Sequence, residues 1–205
     1  MFENKIKDIL EMYYDEYKNI FKIFDFSADR FTEENQTVNF CRAVQKECEG
    51  ALVWYEYPWE NEEIKNLRKS KSRFDAVIYL PKENALIIVE SKCLRHKGKY
   101  EAMYNDLKRI IKENNNVKIK NKIEIVYAVI LADYWSKGEK SQYHNLQNYW
   151  KKDVDTNALK QDKNKLFNKF VELTTEKLEN PNWNCKGELI ENKNYFLLSV
   201  IGKIK

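Results

Sequence analysis

Two periods govern the spacing of apolar residues along this chain. Ile6, Leu10, Tyr13, Tyr17, Ile20 and Phe24 recur at alternating steps of four and three, which predicts an amphipathic helix with one buried stripe. A second helix is predicted to start at Thr32, a hydroxyl N-cap followed by Glu33 and Glu34 in the first turn, and to stop near Gly50, with Val38, Phe40, Cys41, Val44 and Cys48 facing inward. The β-rich run 51–57 (ALVWYEY), ended by Pro58, predicts the first strand. Two apolar runs, 74–80 and 85–89, flank Pro81-Lys82-Glu83-Asn84 and predict a β-hairpin with a polar turn. A helix over about 99–114 follows, burying Tyr100, Met103, Tyr104, Leu107, Ile110 and Ile111 and leaving Lys108, Arg109 and Lys112 off the stripe. The run 123–132 (IEIVYAVILA) is apolar on both faces, as a central strand requires, and its helical connection to the hairpin makes it parallel to the hairpin's second strand.

Towards the C-terminus, the segment 134–150 interleaves Tyr134, Trp135, Tyr143, Tyr149 and Trp150 with Lys137 and Lys140. It reads first as the core-facing side of a helix and second as a base-stacking surface. Thr156 caps a predicted helix that ends at Asn180-Pro181, and 195–201 (YFLLSVI) predicts a last strand at a sheet edge or a dimer contact. The fold class is therefore α/β: a mixed central sheet, an antiparallel hairpin continued by a parallel strand, flanked by helices. All 205 residues fit one domain, with an N-terminal helical segment (1–30), a core (31–132) and C-terminal helices with a final strand (133–205).

Composition narrows the function classes. With 33% charged residues, five Gly and three Pro, the chain is no linker-rich or disordered protein, and no apolar run reaches membrane-spanning length. The first residues, MFENKIKDIL, are charged and periodic, unlike a signal peptide or an anchor. Cys41, Cys48, Cys93 and Cys185 show no C-x-x-C pairing, which argues against zinc and fits reduced thiols in a cytoplasmic protein. The net charge of +4 is mild, so any case for a polyanionic partner rests on local clusters. One such cluster is Arg68, Lys69, Lys71 and Arg73, in a polar segment that reads equally as a surface loop or as a phosphate-facing one.

Candidate chemistry lies in RFDAVIYLPKENALIIVESKC, residues 73–93. If Leu80 pairs with Ala85, Asp75 stands opposite Glu90, and strand alternation puts Lys92 on the face of Glu90 while Ser91 points away. Two carboxylates facing each other in an apolar sheet repel and lose hydration unless a cation compensates them. A divalent metal or an ion pair with Lys92 would serve. Glu34, at the edge of its helix's inward stripe, reads on its own as a carboxylate favoured by the helix dipole, and Glu56 is a further acid near a strand end.

Asp75 followed by Glu90-Ser91-Lys92 at the end of the next strand resembles the PD-(D/E)xK nuclease superfamily, with Phe74 where the name-giving proline would stand, a position that varies widely in that family. Glu34-Asn35-Gln36-Thr37 is similar to the glutamate-bearing stretch on the helix preceding the sheet in many members, with Glu33 as the alternative if the register is off by one. The resemblance implies a restriction-endonuclease-like core and Mg²⁺-dependent hydrolysis of phosphodiester bonds, with Mn²⁺ able to substitute. It implies catalytic Asp75, Glu90, Lys92 and Glu34, with metal held by Asp75, Glu90, Glu34 and the backbone carbonyl of Ser91. Lys92 would orient or deprotonate water, or stabilise the transition state. DNA is the expected partner, RNA stays open, and a homodimer would suit cutting of both strands in restriction, phage defence or repair. Arg68, Lys69, Lys71, Arg73, Arg95 and His96 are the candidate nucleic-acid contacts. The family's Gln-x-x-x-Tyr motif has no counterpart, since the nearest frame offers Asp106 and Ile110. Two other classes remain: a non-catalytic binding or interaction protein on the same fold, and an unrelated α/β domain that binds partners through its aromatic C-terminal half.

Overall fold

The structure, a computed structural model, describes residues 2–24, 32–58, 73–94, 97–135, 183–190 and 195–205. Helices α1 (Phe2–Ile23), α2 (Glu33–Glu47) and α3 (Lys97–Glu113) flank a six-stranded sheet of β1 (Leu52–Pro58), β2 (Arg73–Leu80), β3 (Ala85–Cys93), β4 (Ile125–Trp135), β5 (Trp183–Ile190) and β6 (Tyr195–Lys203). The strand order is β1-β2-β3-β4-β6-β5. Only β3 and β4 pair in parallel; the other four pairings are antiparallel.

The sheet divides two cores. Ile87 and Val89 of β3 and Tyr127, Val129 and Leu131 of β4 pack with α1 and α2, whereas Leu86, Ile88, Val126, Ala128 and Ile130 pack with Met103, Leu107 and Ile110 of α3. The unbroken apolar runs of β3 and β4 are thus read out as strict alternation between two covered faces. On α1 the predicted stripe is buried through Tyr17; the helix ends at Ile23, and Phe24 beyond it is 53% exposed. Thr32 caps α2, its hydroxyl accepting from the Asn35 amide at 3.4 Å. Gly50, at φ +78, turns the chain out of α2 toward β1, a conformation that costs a residue with a Cβ. The hairpin turn closes through the Glu83 amide on the Leu80 carbonyl, with Asn84 at φ 47, which asparagine tolerates better than most residues.

Two expectations are corrected. The last strand is not at an edge: β6 lies between β4 and β5 and is buried on both faces, as its apolar run should have signalled. Its outer neighbour β5 (WNCKGELI) was not expected as a strand, because Asn, Lys, Gly and Glu give it no apolar run; it is specified by its register on β6, from Trp183↔Gly202 to Ile190↔Tyr195. The predicted helix 156–178 and the aromatic and lysine positions from 136 to 150 lie outside the described residues. No helix among the described residues is long and apolar enough to cross a membrane.

Ile87 is fully buried on the central strand, between β2 and β4. Ile87→Ala is expected to lower unfolding free energy by about 2–5 kcal/mol, through lost transfer energy and a residual cavity, measured by urea denaturation.

Candidate functional site

The hairpin register is the one the sequence implies, Leu80↔Ala85 through Ala76↔Val89, and the ladder stops one pair short of Asp75 and Glu90. In place of that pair, the Asp75 carboxylate itself accepts the Ser91 amide at 2.7 Å. The other side of Asp75 is also interrupted. The β1–β2 register skips the Glu56 position and resumes at Tyr57↔Phe74, and Glu56 adopts φ +51. A left-handed glutamate within a strand costs about 1–2 kcal/mol. Across this break, strand alternation fails: Phe74 packs in the α3-side core and Ala76 in the opposite one. Asp75 is thereby released from both ladders, and its side chain takes over a backbone role at the end of β3.

Beyond Val89, strand β3 changes character. Ser91 and Cys93 face α2, where the Thr37 and Ser91 hydroxyls lie 2.7 Å apart and Gln36 donates to the Lys92 carbonyl at 3.3 Å. Glu90 and Lys92 face α3. Glu90 is 1% exposed, and its carboxylate meets the Arg109 guanidinium on one oxygen and the Lys92 ammonium at 3.7 Å on the other. Asp106 of α3 lies 2.9 Å from the Lys92 ammonium and 3.0 Å from Arg109. Lys92 also donates to the Ser91 carbonyl at 2.9 Å. These groups sit at the carboxyl ends of the parallel pair β3–β4, the place where ligands enter open α/β sheets.

Glu33, not Glu34, is the α2 glutamate that reaches this spot. Its carboxylate accepts the Cys93 amide at 3.1 Å and the Lys99 ammonium at 2.8 Å, and lies 3.9 Å from Lys92. Glu34 is exposed one position further round the helix, and its bond to Thr32 and a backbone amide of the first turn hold its carboxyl below the usual range. It sits at the second position of α2, against the Thr32 cap. Arg73 is exposed at the rim and pairs with Glu56 at 3.4 Å. Arg68, Lys69, Lys71, Arg95 and His96 lie outside the described residues. Asp106 and Arg109 were missed as site residues by the sequence reading. Asp106 could have been found as an acid within the apolar stripe Met103, Leu107, Ile110, where it is 7% exposed.

Burial dominates the electrostatics of the site. Burial, then the nearby Asp75 and Asp106, push the Glu90 carboxyl up to about 8 in spite of Arg109 and Lys92. Burial also raises Asp75, against the Ser91 amide and Lys92. For Lys92, burial favours the neutral amine, but Asp106, Glu90 and Asp75 outweigh it and raise the ammonium above its ordinary value. Four acidic groups (Glu33, Asp75, Glu90, Asp106) share three basic ones (Lys92, Lys99, Arg109) in this cluster. Hard oxygen donors of this kind suit Mg²⁺ or Mn²⁺ in preference to softer metals. In this conformation no three acidic, histidine or cysteine groups among the described residues converge on one cation position. The Glu90 oxygens and the Ser91 carbonyl face Arg109 and Lys92 instead.

Comparison of the chain with protein-family models, with curated proteins and with solved structures gives no match.

Between an exposed glutamate's 4.5 and the buried value of about 8, the folded chain keeps a proton on Glu90 that the unfolded chain releases. The stability this contributes is complete below the lower value and is lost as pH rises through the higher one. In EDTA, the urea midpoint of the wild type is expected to fall between about pH 5 and pH 8.5, and that of Glu90→Gln to fall less. Parallel pH profiles of the two proteins would contradict the assignment.

Proposed function

We propose that this protein is a metal-dependent phosphodiesterase that cleaves DNA, a PD-(D/E)xK-type endonuclease on a restriction-endonuclease-like core. The observation that carries this reading is the gathering of Asp75, Glu90 and Lys92 at one end of adjacent strands, with Glu33 of the preceding helix reaching the same ammonium. The mixed sheet, with its hairpin, parallel strand and flanking helices, agrees with such a core.

The chain's residues divide the work by charge. Asp75 and Glu90 supply the hard oxygens for Mg²⁺, which when bound brings Lewis acidity to a phosphoryl oxygen. Lys92, set among Asp106, Glu90 and Asp75, stabilises negative charge developing on the phosphoryl group and orients water. Glu33 and Asp106 hold that ammonium from either side of the strand end. Water attacks phosphorus and the bond to the leaving oxygen breaks, releasing a phosphate monoester and a hydroxyl.

A second reading follows from one feature: Asp106 and Glu90 are partnered by Lys92 and Arg109. A nucleic-acid-binding or protein-interaction protein on the same fold would have use for such a closed ionic cluster as scaffold alone. Incubation with supercoiled plasmid decides between them. The nuclease reading expects nicking that needs Mg²⁺ or Mn²⁺ and stops with EDTA, and a loss of about 10²-fold or more in Asp75→Asn, Glu90→Gln and Lys92→Ala proteins that keep their circular dichroism. Absence of cleavage on DNA and RNA with either ion would favour the binder.

The two α2 glutamates provide a separate check. Glu33→Gln is expected to cut the cleavage rate by about tenfold or more, whereas Glu34→Gln should leave it within about twofold and cost only a fraction of a kcal/mol in stability through the weakened cap.

A further inference from the structure

Arg109 stands where a cation would neutralise Glu90. Its guanidinium bonds the Glu90 carboxylate on a side chain that is 2% exposed, and it is the cation in closest contact with that group. Yet Arg109 is not sealed in: its own side chain is 31% exposed, so it retains a path outward. Two further contacts would stay with it if it let go of Glu90. Asp106, one helical turn earlier, holds it at 3.0 Å, and the ring of Phe74 lies under the guanidinium at 5.8 Å from centroid to carbon. Its Nε carries no hydrogen bond despite being buried. A five-donor fork with a spare N–H, anchored by an acid and an aromatic face, has the form of a phosphate ligand in waiting.

We propose that Arg109 is the resident counter-ion of Glu90, displaced from it by the divalent cation and freed by that exchange to bind a phosphate of the substrate. The inference rests on the metal-dependent reading of the site and adds to it a positioning residue on α3 that couples the two binding events. A divalent cation and a guanidinium on one buried carboxylate repel each other, so metal and Arg109 compete for Glu90. Once off Glu90, Arg109 still leans on Asp106 beside Lys92, which sets its fork next to the ammonium that faces the reacting phosphate.

The test uses the intact protein and Mn²⁺, with binding followed by calorimetry in the absence of nucleic acid. Arg109→Met is expected to bind Mn²⁺ about fivefold or more tightly than the wild type, and Glu90→Gln to lose the site. With Ca²⁺ in place of Mg²⁺ to hold back cleavage, Arg109→Met should bind a duplex oligonucleotide more weakly by a similar factor. Because removing Arg109 strands Glu90 in the interior, a second measurement needs no substitution. The side-chain Nε resonance of Arg109 in the wild type should shift during Mg²⁺ titration, in step with the Ser91 amide. Mn²⁺ binding that depends on Glu90 but is unchanged or weaker in Arg109→Met, or an Arg109 resonance that stays fixed while Ser91 moves, would overturn the exchange and leave the metal site standing. No Mn²⁺ binding by any of these proteins would remove both.

Discussion

A glutamate at the centre of a sheet sets the terms for everything near it. Glu90 is 1% exposed on the strand between β2 and β4, with apolar neighbours on the same face at Ile88 and Ile130. An ionised carboxylate in such a place costs several kcal/mol unless cations and hydrogen bonds replace its lost water. Even two cations are insufficient here, since the proton is held well above the ordinary carboxyl range. Lys92 and the Arg109 of α3 are the groups that answer that demand.

The two faces of the sheet answer it differently. On the side of α1 and α2 the end of β3 is fixed by Thr37 with Ser91, Gln36 with the Lys92 carbonyl, and the Glu33 carboxylate on the Cys93 amide. These bonds are short-ranged and directional, and they set where the strand stops. On the side of α3 the contacts are ionic, running from Glu90 through Arg109 and Asp106 to Lys92. Asp75 is tied to the same point because it is out of both ladders, its pairing with β1 broken at the left-handed Glu56 and its pairing with β3 replaced by a side-chain bond.

Much of this was legible in the chain, for reasons that differ by residue. Hairpin register followed from the four-residue turn, and with it the proximity of Asp75 and Glu90; alternation then placed Lys92 beside Glu90. The choice between Glu33 and Glu34 was not legible. The two are one position, or about 100° of helix rotation, apart, and only the contacts of Glu33 with the Cys93 amide, Lys99 and Lys92 tell them apart. Arg109 was set aside because it lies off the apolar stripe of α3. A long side chain can reach inward from a flanking position, so periodicity underestimates the reach of arginine. β5 was invisible because an outer strand can be specified by its neighbour's backbone instead of by its own apolar pattern.

Stability alone does not account for this cluster. Replacing a buried ion network by packed apolar side chains is often neutral or stabilising by about 1–4 kcal/mol, so a fold under pressure only to hold together gains little from acids at positions 75, 90 and 106. The surroundings could supply an apolar alternative without difficulty: Ile88, Leu107 and Ile110 already line the same side of the sheet. Instead the charges are concentrated at the strand ends, beside the partly exposed Arg109, Glu33 and Lys99, where the interior meets solvent. Conformational specificity could justify one buried pair, but it does not call for four acids and three cations in contact. Charges gathered at a considerable desolvation cost, in a place that remains within reach of solvent, are what the proposed metal-dependent site would require.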